Sequence, residues 1–308
     1  MKTAAGALTD SATTFALLRH ILTATRPQEW IKNAFVFAPL FFSQNVLNPD
    51  LALKSAYGFA LFCFAAGGVY LINDIADRED DRRHPEKSTR PIAAGVLPVH
   101  LAAIAAGVLL IAAVGGAFLL GFAFGLVTLA YVVLVSAYSK WLKHIVIVDV
   151  FAIAAGFVLR VAAGALAIGV VMSHWLLICT LLLALFLGLS KRRYELVTLS
   201  GEGKLHRQVL AEYNPQFLDM MIGIVTSATV VCYALYTVSQ ETVQRFHTDR
   251  LLLTLPFVLY GIFRYLYLVY HKNYGGDPSR TLVSDRPLLV NIALWVSTCG
   301  IIIYVANY

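Results

Sequence analysis

The residues with the most chemical content fall in one stretch, Asn73-Asp74-Ile75-Ala76-Asp77-Arg78-Glu79-Asp80-Asp81, followed by Arg82, Arg83, Lys87 and Arg90. If a helix continues through the acidic part, Asp74, Asp77 and Asp81 stand at i, i+3 and i+7 and share one face. Carboxylates gathered that way repel one another. A positive partner must offset this, either a divalent cation or the basic residues that follow. Magnesium uses one or two carboxylates, keeps several waters and completes its shell from substrate phosphates. Acidic turns beside Lys and Arg therefore suit a metal-bridged diphosphate. The competing reading is a solvated loop whose opposite charges pair with each other. Position favours the first: Asn73 and Asp74 begin where an apolar run ends, at or just below a membrane interface, where polar groups are expensive and usually functional.

The elements that must hold this cluster are membrane helices. Of 308 residues, 59% are hydrophobic and 14% charged, with a mean hydropathy of +0.72, whereas a soluble domain has roughly 45–50% apolar and about 25% charged residues. The composition implies an all-α, polytopic membrane protein. The formal net charge of +6 is modest, and nucleic acid is not an expected partner. Cys63, Cys179, Cys232 and Cys299 sit in apolar runs without metal-site spacing and read as core residues. Residues 1 to 25 hold no apolar h-region with a cleavage site, so no cleaved signal is expected.

Apolar runs near 31–47, 53–72, 99–118, 121–138, 145–168, 171–190, 216–238, 251–270 and 288–306 give an expectation of nine transmembrane helices. Residues 12–25 read as an amphipathic surface helix. Residues 1–18 are expected to be a flexible N-terminus and 19–308 a single transmembrane catalytic domain. Nineteen of the 24 Lys and Arg fall on the side that holds the N-terminus and the loops 73–98, 139–144, 191–215 and 271–287. Lys54, Arg245 and Arg250 fall on the other side, and Arg160 and Arg264 lie inside apolar runs. The rich side is expected to be cytoplasmic, with the N-terminus inside and the C-terminus outside. Its loops also carry Asp74, Asp77, Asp80, Asp81, Glu195, Asp277 and Asp285. A cytoplasmic polar cap of mixed charge suits a charged, water-soluble substrate better than it suits simple anchoring.

Asn73-Asp74-x-x-Asp77-x-x-x-Asp81, continued by Asp81-Arg82-x-His84-Pro85-x-Lys87-x-x-Arg90-Pro91-Ile92, resembles the first aspartate-rich motif of the UbiA superfamily of intramembrane transferases. That resemblance implies nine helices around a cavity open to the membrane, with Asp74, Asp77 and Asp81 holding Mg²⁺ on a diphosphate. The second motif of the superfamily, Tyr-x-x-x-Lys followed by a DxxxD pair, is only partly matched. Tyr138-Ser139-Lys140-Trp141-Leu142-Lys143-His144 precedes Asp149, but Ile153 stands where the second carboxylate would be. Arg26-Pro27-Gln28-Glu29-Trp30-Ile31-Lys32-Asn33, the stretch from Leu142-Lys143-His144 to Asp149, Ser190-Lys191-Arg192-Arg193-Tyr194-Glu195-Leu196, and Gly276-Asp277-Pro278 with Asp285-Arg286-Pro287-Leu288 resemble one branch. Its members move phosphoribose from phosphoribosyl diphosphate to decaprenyl phosphate.

This resemblance implies a glycosyltransferase of the plasma membrane, with its active site cytoplasmic. Its donor would be phosphoribosyl diphosphate and its acceptor a polyprenyl phosphate, on the route to decaprenyl-phosphoryl arabinose and cell-wall arabinan. It also admits a homotrimer. Cleaving a C1–O bond puts positive charge on the ribose and negative charge on the departing pyrophosphate, and a metal with nearby cations would stabilise the latter. Three phosphate-bearing groups need many cations, and Lys32, Lys87, Arg90, Lys143, Lys191 and Arg192 are the candidates for contacts. Asn73, Tyr138 and Asp149 complete the candidate substrate site. Lys32, Lys143, Lys191 and Arg192 can also be read as interfacial anchors. Arg160, about 16 Å along the helix from Asp149, reads as a buried structural cation, and Arg264 as a residue that snorkels to the surface. Two other functions are compatible with this sequence: an aromatic prenyltransferase of the same superfamily, against which Ile153 argues, and an anion transporter, against which the one-sided charge argues.

Overall fold

A computed structural model describes residues 15–85, 87–198, 210, 212–272, 276 and 278–305. Among them there is no strand. The helices are α1 (Phe15–Ala24), then α2 (Ala38–Phe42), α3 (Pro49–Ala76), α4 (Arg78–Arg83), α5 (Val99–Leu120), α6 (Phe122–Lys140) and α7 (Val148–Ile168). They continue with α8 (His174–Thr198), α9 (Pro215–Val238), α10 (Gln240–Phe246), α11 (Leu255–His271), α12 (Pro278–Ser284) and α13 (Arg286–Tyr304).

Among the described residues eight helices are long and apolar enough to cross a bilayer: α3, α5, α6, α7, α8, α9, the Arg250–His271 segment ending in α11, and α13. The first expected span, 31–47, is not a continuous helix. It is a 3₁₀ stretch, Pro27–Phe37, joined to the five-residue α2. Pro39 opens α2, and Gln44, at φ 62°, follows it in the left-handed region. Runs of 3₁₀ helix this long are uncommon because their hydrogen bonds are poorer. Within the segment 12–25, Phe15–Ala24 is helical, as α1, and residues 1–14 lie outside the described set.

The chain forms two compact units. The first comprises residues 1–34 and 56–136. Its core packs Ala24 at the end of α1, Leu71 of α3, Ile92 and Leu97 of the loop after α4, and Ala102 and Ala106 of α5. Burying Ile92 and Leu97 anchors a loop that would otherwise be polar and mobile, which fixes the basic residues just before them.

The second unit comprises residues 35–55 and 137–308. Its core joins Val150 and Ala154 of α7, Phe186 and Leu189 of α8, Leu218 and Ile222 of α9, and Ile262 and Tyr265 of α11. Small residues set its closest approaches. A Cβ on Gly164 would stand 2.1 Å from the carbonyl oxygen of Val36, and a backbone atom cannot swing aside as a side chain can. Gly164→Ala is therefore expected to destabilise the protein by about 1–3 kcal/mol, read as a lower unfolding midpoint in detergent. An unchanged midpoint would show that α7 and the 3₁₀ stretch are not packed this way.

Candidate active site

α3 positions the acidic cluster by ending inside it. Asp74 occupies the last turn of α3, and Asp81 lies on α4; both are 3% exposed. Asp77 sits between the two helices, at φ −89° and ψ 8°, and is exposed. The expectation of three carboxylates on one helical face therefore needs correction. Asp77 leaves the helical well and turns outward. The chain stays coiled across it through Asp77 N–H to the Asn73 carbonyl and Asp81 N–H to the Asp77 carbonyl, each at 2.8 Å.

Two arginines close on the buried pair. Arg90 Nη1 donates to Asp74 Oδ1 at 3.2 Å and to Asp81 Oδ2 at 2.6 Å. Arg26 Nη2 donates to the same Asp74 oxygen at 2.5 Å. Two carboxylates thus face two guanidiniums, and their formal charges cancel. The loop that presents Arg90 is held by buried Ile92 and by Arg82 Nε donating to the Ala93 carbonyl at 3.1 Å. Arg26 is a site residue that sequence reasoning missed. It lay inside a motif matched for other reasons, and nothing in the residue types shows that the turn after α1 aims it at Asp74.

Among the described residues, no three His, Cys, Asp or Glu side chains converge as a ready-made metal shell. Asp74 and Asp81 nevertheless supply two hard oxygen donors, a set that fits Mg²⁺ when substrate phosphates complete its shell. Of the other residues expected here, Asn73 is half-buried beside Asp74, Lys87 is exposed, and Lys32 pairs with Glu29.

The second unit holds a separate polar cluster, centred on Arg192 of α8. Its side chain is 1% exposed. Nε donates to Asp149 at 2.6 Å, Nη1 to Glu195 at 2.5 Å and Nη2 to the Tyr138 hydroxyl at 3.0 Å. Arg192, expected on a phosphate, spends its fork on these internal partners. Lys191, on the same turn, stands 4.0 Å from Glu195, and Lys143 is half-buried in a 3₁₀ turn, Leu142–His144. Asp149 pairs with Arg192, while Arg160 donates to the Gly156 carbonyl at 2.9 Å, consistent with a structural cation.

Asp149 is oriented by an unusual turn. Ile147 has φ 68° and ψ −47°, and Val148 N–H donates to the Val146 carbonyl at 2.8 Å, which makes a γ-turn centred on a β-branched residue. Such a turn is strained. Tyr213 secures it: its hydroxyl accepts from Ile147 N–H at 2.6 Å and donates to Asp149 Oδ1 at 2.9 Å. Burial pushes the Tyr213 phenol up to about 12, so the donating proton is retained. Tyr213 was not foreseen, although it immediately precedes an Asn-Pro helix start.

Arg264 does not simply snorkel. It makes a forked pair with Asp285, Nε at 3.1 Å and Nη2 at 2.8 Å, and Asp285 also caps α13 through Leu288 N–H at 2.9 Å. The Arg264 hydrogen bond holds the Asp285 carboxyl below its ordinary value. A carboxyl depressed in the folded state contributes stability above its unfolded value near 3.9 and loses it as pH falls through the lower folded value. Asp285→Asn is expected to flatten the stability profile below about pH 4, measured as unfolding midpoint against pH. An unaltered profile would contradict this pairing. Asp277, from the same expected polar segment, lies outside the described residues.

The chain belongs to the UbiA prenyltransferase family, whose model matches residues 34–283. It is 32% identical over 299 residues to decaprenyl-phosphate phosphoribosyltransferase of Mycolicibacterium smegmatis, covering 94% of this chain and 93% of that protein. It is 34% identical over 291 residues to the protein of the same name from Corynebacterium glutamicum, with 92% and 87% covered. Among solved structures, a UbiA homologue from Archaeoglobus fulgidus bound to GPP and Mg²⁺ matches with a TM-score of 0.71 at 20% identity, over 93% of this chain and 100% of that one. That likeness speaks for the fold, which agrees with the membership expected from the aspartate-rich motif.

Proposed function

We propose that this chain transfers 5-phosphoribose from phosphoribosyl diphosphate to decaprenyl phosphate, or a related polyprenyl phosphate, and releases pyrophosphate. The observation that carries this reading is similarity along more than nine-tenths of the chain to two phosphoribosyltransferases of that name. The missing carboxylate at Ile153 supports it against an aromatic prenyltransferase.

In the reaction the ribose C1–O bond to pyrophosphate breaks and a new bond forms to an oxygen of the lipid phosphate. That nucleophile is already anionic, so no strong general base is needed. When bound, Mg²⁺ would neutralise charge developing on the leaving pyrophosphate. Asp74 and Asp81 would hold it, with Asp77 at the exposed edge. Arg90, Lys87, Lys32, Lys143 and Lys191 would bind phosphates, and Asn73 and Tyr138 would orient the ribose or the metal shell. Arg192 and Asp149 would act by keeping Tyr138 and the start of α7 in place. We further propose one catalytic domain over 19–308, in the plasma membrane with the acidic cluster cytoplasmic, serving the route to decaprenyl-phosphoryl arabinose and cell-wall arabinan.

The test is direct. Purified protein is incubated with Mg²⁺, labelled phosphoribosyl diphosphate and decaprenyl phosphate, and label is sought in the lipid phase. Label that appears only with metal and both substrates supports the reading. Absence of lipid label, with prenylation of an aromatic acceptor instead, would replace it.

A further inference from the structure

We infer that Arg26 and Arg90 stand in for the metal on the Asp74–Asp81 pair, and that a diphosphate draws them away so that cation and diphosphate bind together and each poorly alone. This rests on the reading of that pair as the metal-holding residues.

Charge balance is the first ground. The two carboxylates are 3% and 4% exposed at their side chains, and each is already met by a guanidinium. A divalent cation added to that arrangement would leave two uncompensated positive charges in a poorly solvated place, which is costly. A diphosphate added alone would find the guanidiniums committed and two carboxylates directly behind them. Added together, the cation takes the carboxylates and the freed guanidiniums take phosphate oxygens, for which their planar fork is well suited.

Mobility is the second ground. The acids are fixed on α3 and α4, whereas the arginines are on connecting segments and their side chains are 24% and 28% exposed. The long, solvent-facing partners are the ones that can swing.

The third ground is specific to Arg26. Gly67, Tyr70 and Asp74 lie at i, i+3 and i+7 on one face of α3, and the turn after α1 rests on that face. A Cβ on Gly67 would meet Thr25 Cβ at 2.9 Å. The Arg26 guanidinium carbon lies 4.6 Å from the centre of the Tyr70 ring, a cation–π contact that does not depend on Asp74. Arg26 itself has φ 54°, a backbone state unusual for a residue with a side chain. Shape therefore delivers this guanidinium to the acidic pair, and the Tyr70 ring is in contact with it there alongside Asp74.

The experiment follows Mn²⁺ binding to the full chain in detergent by electron paramagnetic resonance, with and without inorganic pyrophosphate. In the unaltered protein, pyrophosphate should tighten Mn²⁺ binding by about 10–100-fold, the range of typical coupling between sites. Arg26→Gln should tighten binding of Mn²⁺ alone and reduce the effect of pyrophosphate, a gain that neither general damage nor simple loss of a phosphate contact would produce. Arg26→Lys, which keeps the charge, should stay near the unaltered protein. Arg90→Gln should shift in the same direction as Arg26→Gln, so misfolding of one variant does not remove the test. Weaker or unchanged binding of Mn²⁺ alone in both glutamine variants would overturn the inference while leaving the metal site standing. Failure of Mn²⁺ to bind the unaltered protein even with pyrophosphate would overturn the metal site as well.

Discussion

Replacing Asp74 by Asn is expected to lower transfer of labelled phosphoribose into lipid by about 10³-fold, a loss of about 4 kcal/mol of transition-state stabilisation. Asp81→Asn should lose a similar amount, and Asp77→Asn much less. The ordering comes from burial, since Asp74 and Asp81 face inward while Asp77 is exposed. An amide keeps the size and one acceptor oxygen but removes the charge that would hold a cation. Folding should survive, because Arg90 keeps Asp81 and both arginines can turn towards water. Transfer assays paired with unfolding midpoints separate the two effects. Equal losses at positions 74 and 77, or an active Asp74→Asn protein, would refute the assignment.

The largest stability effect is expected at Arg192. Arg192→Met leaves the fully buried Asp149 carboxylate without its cation and should cost about 3–5 kcal/mol. The size of that loss comes mainly from stranding a charge. Asp149→Asn combined with Arg192→Met should therefore recover much of the stability, because it removes both charges while keeping similar volumes. Unfolding in mixed micelles with increasing denaturing detergent provides the measurement. Additive losses in the double variant would show that the pair is not coupled.

Much of this architecture was readable from residue types. Length and apolar content located eight helices, because a span's signal is a sum over about 20 residues that tolerates single exceptions. The acidic motif identified the family for a similar reason, since many spaced residues had to agree. Individual backbone states were not readable. Lys32, Asn33 and Pro39 already disturbed the first expected span, but only the folded chain shows a 3₁₀ stretch there. Asp77 belonged to a pattern fully compatible with a continuous helix, yet it marks the junction of two. The partners of Asp149 and Arg26 depended on contacts between distant segments, Tyr213 and Arg192 in one case and Asp74 in the other, which local spacing does not encode.

The turn at Ile147 bears on how this protein could be stabilised. Glycine adopts a positive φ freely, so an engineer seeking a sturdier sample would find position 147 an obvious target. Yet the same bend aims the next turn of α7, and its amide is tied through the Tyr213 hydroxyl to Asp149. Relaxing the bend would loosen the carboxylate that steadies Arg192 and, through it, Tyr138. On the proposed role of Tyr138, heat tolerance and turnover would pull in opposite directions at this position.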